Sequence, residues 1–126
     1  MSWQAYVDTN LVGSGKIKSA AILGRQGGVW ATSSGFNLTP EEQATLLAAH
    51  DNTAQTQASG IRLAGVKYLT ISVDERSING KKGVDGCVIV RTKQAILIGT
   101  YTTPSQQSEA AVVVEGLADY LIGVGY

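Results

Sequence analysis

The 126-residue sequence has little cysteine, little histidine and no net charge, and each shortage excludes a class of protein. Its one cysteine, Cys87, cannot form an internal disulfide, which indicates a reducing compartment such as the cytoplasm. One cysteine and one histidine cannot supply the usual zinc ligand sets, so we expect no metal and no cofactor. Ten basic and ten acidic side chains cancel, so no overall charge attracts nucleic acid.

Long apolar runs are absent as well. No stretch approaches the roughly 18 apolar residues of a membrane-spanning helix, and the first residues do not resemble a secretory signal. The 44% hydrophobic and 16% charged fractions exclude a disordered chain. We therefore expect one compact cytoplasmic domain over residues 1–126, with a hydrophobic core of its own.

Both ends of the chain have helical patterns. The first helix is predicted over Ser2–Val12, with Ser2 as its N-cap and Gly13 as its stop. The last is predicted over Ser108–Ile122, because apolar residues recur there at helical spacing, and Gly123 follows as a stop.

A middle helix has the best-marked start in the sequence. Thr39 and Glu42 have the spacing of a capping box, and Pro40 occupies the first helical position, where its missing N–H is not needed. This helix should end near His50–Asp51. The polar residues 52–60 predict a loop or a short irregular helix.

The remaining segments alternate with the period of two that is typical of strands. Connections between them are too short for crossover helices, so the sheet should be antiparallel. Asn79–Gly80 suggests a hairpin turn, and a longer loop through Lys82–Gly83 is the alternative. Strands are predicted at residues 18–24, 28–33, 61–63, 66–73, 87–91 and 94–101. Helices covering the faces of one such sheet make an α+β domain.

Two large aromatic residues near the N-terminus need an explanation. Trp3 and Tyr6 are three residues apart, so they share one face of a helix. Chain termini are usually polar and frayed unless something holds them. That face must therefore be covered by another element, or it must bind a partner.

Five stretches of sequence make the chain resemble the profilins of amoebae and fungi. They are the opening MSWQAYVDTNLVG, then AAILG and VWATS, the middle DERSINGKKG, and the closing LADYLIGVGY. The resemblance runs from end to end. It implies a central antiparallel sheet with the N- and C-terminal helices on one face and shorter helices on the other. It also implies a monomeric, non-enzymatic cytoskeletal protein that binds monomeric actin, proline-rich proteins such as formin-type actin nucleators, and phosphoinositide lipids.

A polyproline II ligand is stiff before it binds and presents free carbonyl acceptors, so it suits a groove of aromatic rings with N–H and O–H donors at their edges. A single aromatic residue taken alone would more often belong to the hydrophobic core than to a binding groove. The resemblance assigns the groove to six positions, namely Trp3, Tyr6, Trp30, Tyr120, Leu121 and Tyr126.

The resemblance assigns actin binding to the middle third of the chain and to the last helix. Residues 62–93 contain seven basic and three acidic side chains, a net charge of +4 against −4 for the remainder, and the resemblance implies an acidic actin partner. The alternative is that this charge is only the solvated face of a sheet. The positions are Lys67, Ile71, Ser72, Arg76, Asn79, Lys81, Lys82, Ser108, Val112 and Gly116.

Four of these positions depart from the family pattern. Ser72 replaces a common Arg, Asn79 a Tyr, Ser108 a Gly, and Gly116 a Lys. Arg and Tyr are frequent interface hot spots, and losing one can cost about 2 kcal/mol. We therefore predict weaker actin binding than in close relatives. The alternative function is an adaptor for proline-rich ligands that has lost useful actin affinity.

Phosphoinositide binding is predicted for Arg76, Lys81 and Lys82, since each basic residue near an anionic membrane contributes about 1 kcal/mol. An enzymatic function finds little support. His50 has no recognisable nucleophile beside it, and Cys87 lies in an apolar strand. The glycine turns at residues 13–15 and 80–83 lack the spacing of a phosphate-binding loop.

Overall fold

Seven strands form one antiparallel sheet in the order β2-β1-β7-β6-β5-β4-β3. The structure, a computed structural model, describes residues 2–126. Short connections join β1 to β2 and each successive pair from β3 to β7, as the sequence predicts, whereas β1 pairs with β7 from the far end of the chain. The strands are β1 (Ser19–Gly24), β2 (Val29–Thr32), β3 (Ile61–Leu63), β4 (Val66–Val73), β5 (Ser77–Lys82), β6 (Asp85–Arg91) and β7 (Ala95–Tyr101).

Helices cover both faces of this sheet. The helices are α1 (Trp3–Ala5), followed without a break by a π-helix (Tyr6–Leu11) and a 3₁₀-helix (Val12–Ser14), then α2 (Pro40–Ala49), α3 (Thr53–Ser59) and α4 (Gln107–Gly123). We call residues 3–14 the N-terminal helical segment. One core cluster joins this segment and α4 to the sheet, and a second joins α2 and β3 to its other face. The predicted α+β arrangement is confirmed.

The N-terminal helical segment differs from its prediction in geometry and length. The Ser2 hydroxyl accepts a hydrogen bond from the Ala5 N–H at 3.1 Å, so the predicted N-cap is correct. The segment then widens into a π-helix, and the Val12 N–H bonds the Val7 carbonyl. It ends at Gly15, whose φ of 78° is left-handed, and the predicted stop at Gly13 was wrong. The helical turns continue through Ser14, and Gly15 rather than Gly13 takes the left-handed conformation that ends them.

Helix α2 begins as its sequence predicts and is also tied to the sheet. Thr39 and Glu42 form the reciprocal capping box, and the Glu42 carboxylate accepts further N–H bonds from Ala64 and Gly65 in the β3–β4 turn. Burial raises the pKa of Glu42, but these backbone donors outweigh it and leave the pKa below its usual value. Residues 53–59 form a helix, the second of the two predicted alternatives.

The predicted turn at Asn79–Gly80 was wrong, because both residues lie inside β5 and pair with Val88 and Cys87. The chain reverses earlier, where the Asp74 carboxylate accepts the N–H groups of residues 76 and 77. It reverses again at residues 83–84, close to the predicted longer loop. A side chain that bonds its own turn therefore decided the hairpin boundary.

Candidate functional site

Five aromatic side chains meet where the two ends of the chain pack together. The Trp3 ring centroid lies 5.6 Å from that of Tyr6, 4.6 Å from that of Trp30 and 5.0 Å from that of Tyr126. Tyr6 in turn lies 6.2 Å from Tyr120. These spacings are those of favourable aromatic pairs. We call these five residues the aromatic cluster.

The aromatic cluster is only partly covered. Tyr120 and Tyr126 are 54% and 39% exposed, and the other three rings are half-buried. Trp3 and Trp30 each carry an indole N–H, which is a hydrogen-bond donor. Burial and the adjacent Tyr120 hydroxyl raise the pKa of Tyr6 above its ordinary value, at which the hydroxyl is already protonated at neutral pH. The cluster thus presents ring faces together with hydrogen-bond donors.

Leu121 does not belong to this exposed surface. Its side chain is 0% exposed and packs in the core between α4 and the sheet. In a helix, adjacent residues point in directions about 100° apart, so an exposed Tyr120 and a buried Leu121 are compatible. The prediction that Leu121 lines the groove needs correction, because its side chain packs α4 onto the sheet.

Backbone hydrogen bonds hold Tyr126 in place. Its carbonyl accepts bonds from the Gln94 N–H at 2.6 Å and from the Thr92 hydroxyl at 2.7 Å. The Gln94 side chain also donates to the Gly125 carbonyl at 2.9 Å. The β6–β7 turn therefore anchors the last residues of the chain, and with them the ring of Tyr126.

A second surface lies on the other side of α4, where the sheet extends beyond the helix. A bulge in β4 between Thr70 and Ser72 leaves Ile71 and Ser72 both exposed. Leu69, Ile71 and Val112 are 66%, 61% and 73% exposed. We call this area the β4–β5 surface. It holds seven of the ten positions predicted for actin binding, which are Lys67, Ile71, Ser72, Asn79, Lys81, Ser108 and Val112. Of the other three, Arg76 is bound to α4, Lys82 points to the opposite face of β5 from Lys81, and Gly116 lies on the side of α4 toward the N-terminal helical segment.

Asn79 uses its side-chain amide inside the protein. Its nitrogen donates to the Ser72 hydroxyl at 3.0 Å, and its oxygen accepts from the Gln107 side chain at 2.8 Å. Sequence reasoning missed Leu69 and Gln107. Strand β4 alternates apolar residues on both of its faces, so its pattern alone does not show which face helices cover.

Arg76 is bound to α4. Its guanidinium donates to Glu115 and Asp119, each at 2.8 Å, and the Ser77 hydroxyl bonds the same Glu115 carboxylate at 2.6 Å. The two carboxylates raise the pKa of Arg76 and neutralise its charge locally. Arg91 is likewise paired with Asp51 at 2.7 Å. The basic third of the sequence is therefore less basic as a surface.

The three residues predicted for phosphoinositides do not converge. Arg76 is occupied by α4, while Lys81 and Lys82 are both exposed near the end of β5. Adjacent residues of a strand point to opposite faces, so the two ammonium groups diverge. A cluster of three cations is not formed.

His50 and Cys87 are both buried. The His50 Nε2 lies 3.3 Å from the Ile89 carbonyl, and its Nδ1 has no partner within residues 2–126. Burial raises the pKa of the Cys87 thiol to about 12, which keeps it protonated. Their positions are those of core residues. Among residues 2–126, no helix is both long and apolar enough to cross a membrane.

Comparison with known proteins identifies the family. A family model for profilin matches residues 1–126. The chain belongs to the profilin family. Membership makes it an actin-binding regulator of the cytoskeleton. Profilin-1B of Acanthamoeba castellanii is 55% identical over 126 residues, and profilin of Schizosaccharomyces pombe is 51% identical over 127; both alignments span 100% of each chain.

Solved structures agree with this assignment. Acanthamoeba castellanii profilin IA has a TM-score of 0.96 at 54% identity, with 99% of this chain and 100% of that chain covered. Mouse profilin IIa in complex with a double repeat from the FH1 domain of mDia1 has a TM-score of 0.81 at 22% identity, with 100% of each chain covered. The likeness to the mouse protein concerns the fold.

Proposed function

We propose that the aromatic cluster binds proline-rich segments in the polyproline II conformation. The observation that supports it is the chain of four ring contacts that joins five aromatic residues at a half-open surface. Such a ligand offers flat pyrrolidine rings and free carbonyls, which match the ring faces and the indole N–H donors of the cluster. The mouse family member forms a complex with a formin FH1 repeat, and formin-type nucleators are the partner class that we propose here.

We propose that the β4–β5 surface binds monomeric actin in the cytoplasm, and does so more weakly than in close relatives. Its exposed Leu69, Ile71 and Val112 supply an apolar centre of the kind found at protein interfaces. The Asn79 amide is already bonded to Ser72 and Gln107, so it has little capacity left for a partner. The adaptor with little actin affinity remains the alternative.

Phosphoinositide binding is proposed for Lys81 and Lys82 without Arg76, because Arg76 is neutralised by α4. Two divergent lysines contribute about 1 kcal/mol each near an anionic surface, so the affinity should be modest. Co-sedimentation with phosphoinositide-rich vesicles tests this. No binding at low ionic strength would remove the proposal.

One experiment separates the regulator from the adaptor. We expect a polyproline peptide to change the tryptophan fluorescence of the protein, because Trp3 and Trp30 both belong to the aromatic cluster. We also expect the protein in excess to delay spontaneous actin polymerisation. A fluorescence response without any delay would favour the adaptor. Tyr120→Ala should weaken the response, and Tyr120→Phe, which keeps the ring, serves as its matched control.

A further inference from the structure

The aromatic cluster continues into a furrow that its predicted residues do not include. The furrow encloses about 410 Å³, and Leu117 forms part of its floor. Its walls come from the N-terminal helical segment and from α4, and they are formed by Tyr6, Asn10, Ser14, Val113, Gly116 and Tyr120. Tyr6 and Tyr120 belong to both features. The aromatic cluster and the furrow therefore form one continuous groove.

The groove follows the contact line of two antiparallel elements. Trp3 meets Tyr126 at one end, and Tyr6 meets Tyr120 further along. At the far end the Lys16 ammonium lies 2.8 Å from the Glu109 carboxylate, beyond the furrow. An extended ligand lying on the aromatic rings thus has a path between the helices until it reaches this ion pair.

Gly116 keeps the furrow open. A β-carbon placed on Gly116 would meet no heavy atom within 4 Å, so the missing side chain leaves space that nothing else fills. In a helix, a longer side chain at this position would lie over the preceding turn, toward Val113. Such a side chain would occupy the furrow without disturbing the core.

We infer that the furrow is a second subsite for the same proline-rich chain that binds the aromatic cluster. This inference rests on the proposed function. Residues 113–120 of α4 span about 10 Å at 1.5 Å per residue, which accommodates about three more residues of a polyproline II chain at 3.1 Å each. The half-buried Val113 offers apolar surface to the pyrrolidine rings, and the exposed Asn10 amide can donate to a ligand carbonyl.

The test compares two substitutions with two peptide lengths. Gly116→Leu fills the furrow, and Gly116→Ala is the matched control that makes the same gain in helix propensity without filling it. An oligoproline of about six residues covers only the aromatic cluster, whereas one of about ten residues covers the cluster and the furrow together. Tryptophan fluorescence and calorimetry give both affinities for each variant.

We expect all three proteins to bind the short peptide equally. The parent protein and Gly116→Ala should gain about tenfold on the longer peptide, and Gly116→Leu should retain only the small gain that comes from extra binding registers. The Asn10 side-chain amide resonances should shift with the longer peptide alone. Equal gains for Gly116→Leu and Gly116→Ala would overturn the subsite. Failure of every protein to bind the short peptide would instead overturn the proposed function on which it rests.

Discussion

The indole of Trp30 lies directly against the backbone of Gly24, and a β-carbon on Gly24 would come within 2.5 Å of the indole Nε1. The backbone of Gly24 is not left-handed, so alanine fits its conformation and clashes only with the indole. Gly24→Ala should therefore displace Trp30 from Trp3 and weaken oligoproline binding about tenfold, while the protein stays folded. Circular dichroism and a fluorescence titration check both parts. Unchanged affinity would show that Trp30 need not lie flat on β1.

Trp3 contacts three of the other four rings, so we expect Trp3→Ala to abolish oligoproline binding. The side chain is half-buried, and its loss should lower the free energy of unfolding by about 2 kcal/mol, which leaves a typical domain folded. Chemical denaturation and calorimetric titration measure the two effects. Trp3→Phe should retain part of the binding. An unfolded Trp3→Ala protein would mean that this ring is mainly a core residue.

Ser72 and Asn79 face each other across β4 and β5 and are bonded to each other. The longer Arg and Tyr that the family pattern has at these two positions would reach a partner instead. The double variant Ser72→Arg, Asn79→Tyr should bind actin monomers more tightly. Two hot spots of about 2 kcal/mol each would tighten binding about a thousandfold if their contributions added. We expect a smaller gain, because hot-spot contributions seldom add. Titration of labelled actin compares it with the parent protein. Gln107→Ala is the control, since it frees the Asn79 oxygen without adding an anchor. Equal affinities in parent and double variant would contradict the prediction.

Arg76 should stabilise the fold rather than bind lipid. Its ion pairs with Glu115 and Asp119 are partly exposed, so Arg76→Gln should cost about 1 kcal/mol of unfolding free energy. Vesicle binding should not change, whereas Lys81→Gln and Lys82→Gln together should reduce it. Thermal denaturation and co-sedimentation distinguish the two roles. If Arg76→Gln lost lipid binding and kept its stability, Arg76 would be a lipid-binding residue and not a stabilising one.

His50 should make stability depend on pH. Burial lowers its pKa in the folded protein, and the nearby Arg91 lowers it further, against opposing contributions from the Ile89 carbonyl and Asp74. Protonation therefore favours the unfolded chain, so this stability is complete above the unfolded pKa of about 6.5 and declines as the pH falls below it.

Denaturation between about pH 7 and pH 5 checks the His50 prediction, because carboxylates titrate mostly below that range. His50→Gln keeps a donor for the Ile89 carbonyl and should remove the decline in this window. If the parent and the His50→Gln variant showed the same slope, the charge on His50 would not be responsible.

Local patterns in the sequence were sufficient for most of the elements. The Thr39–Glu42 capping box predicts the start of α2 because both hydrogen bonds join residues three apart. Most strands were predictable because their residues alternate with a period of two, and the antiparallel pairing was predictable because the connections are short. The predicted hairpin turn at Asn79–Gly80 was wrong because the chain turns earlier, at Asp74, whose carboxylate accepts the Ser77 N–H. Both places carry a local turn signal, and the sequence does not show which of the two prevails.

The sequence by itself determined the aromatic composition of the site, the α+β class and the family resemblance, because these depend on residue identity and near-neighbour spacing. Only the tertiary structure decided that Leu121 is buried while Tyr120 is exposed, that Arg76 is neutralised by α4, and that Leu69 faces solvent. Each of these depends on where α4 crosses the sheet, which is set by contacts between residues far apart in the chain. The furrow beside Gly116 has the same origin, since it exists only where the two ends of the chain pack together.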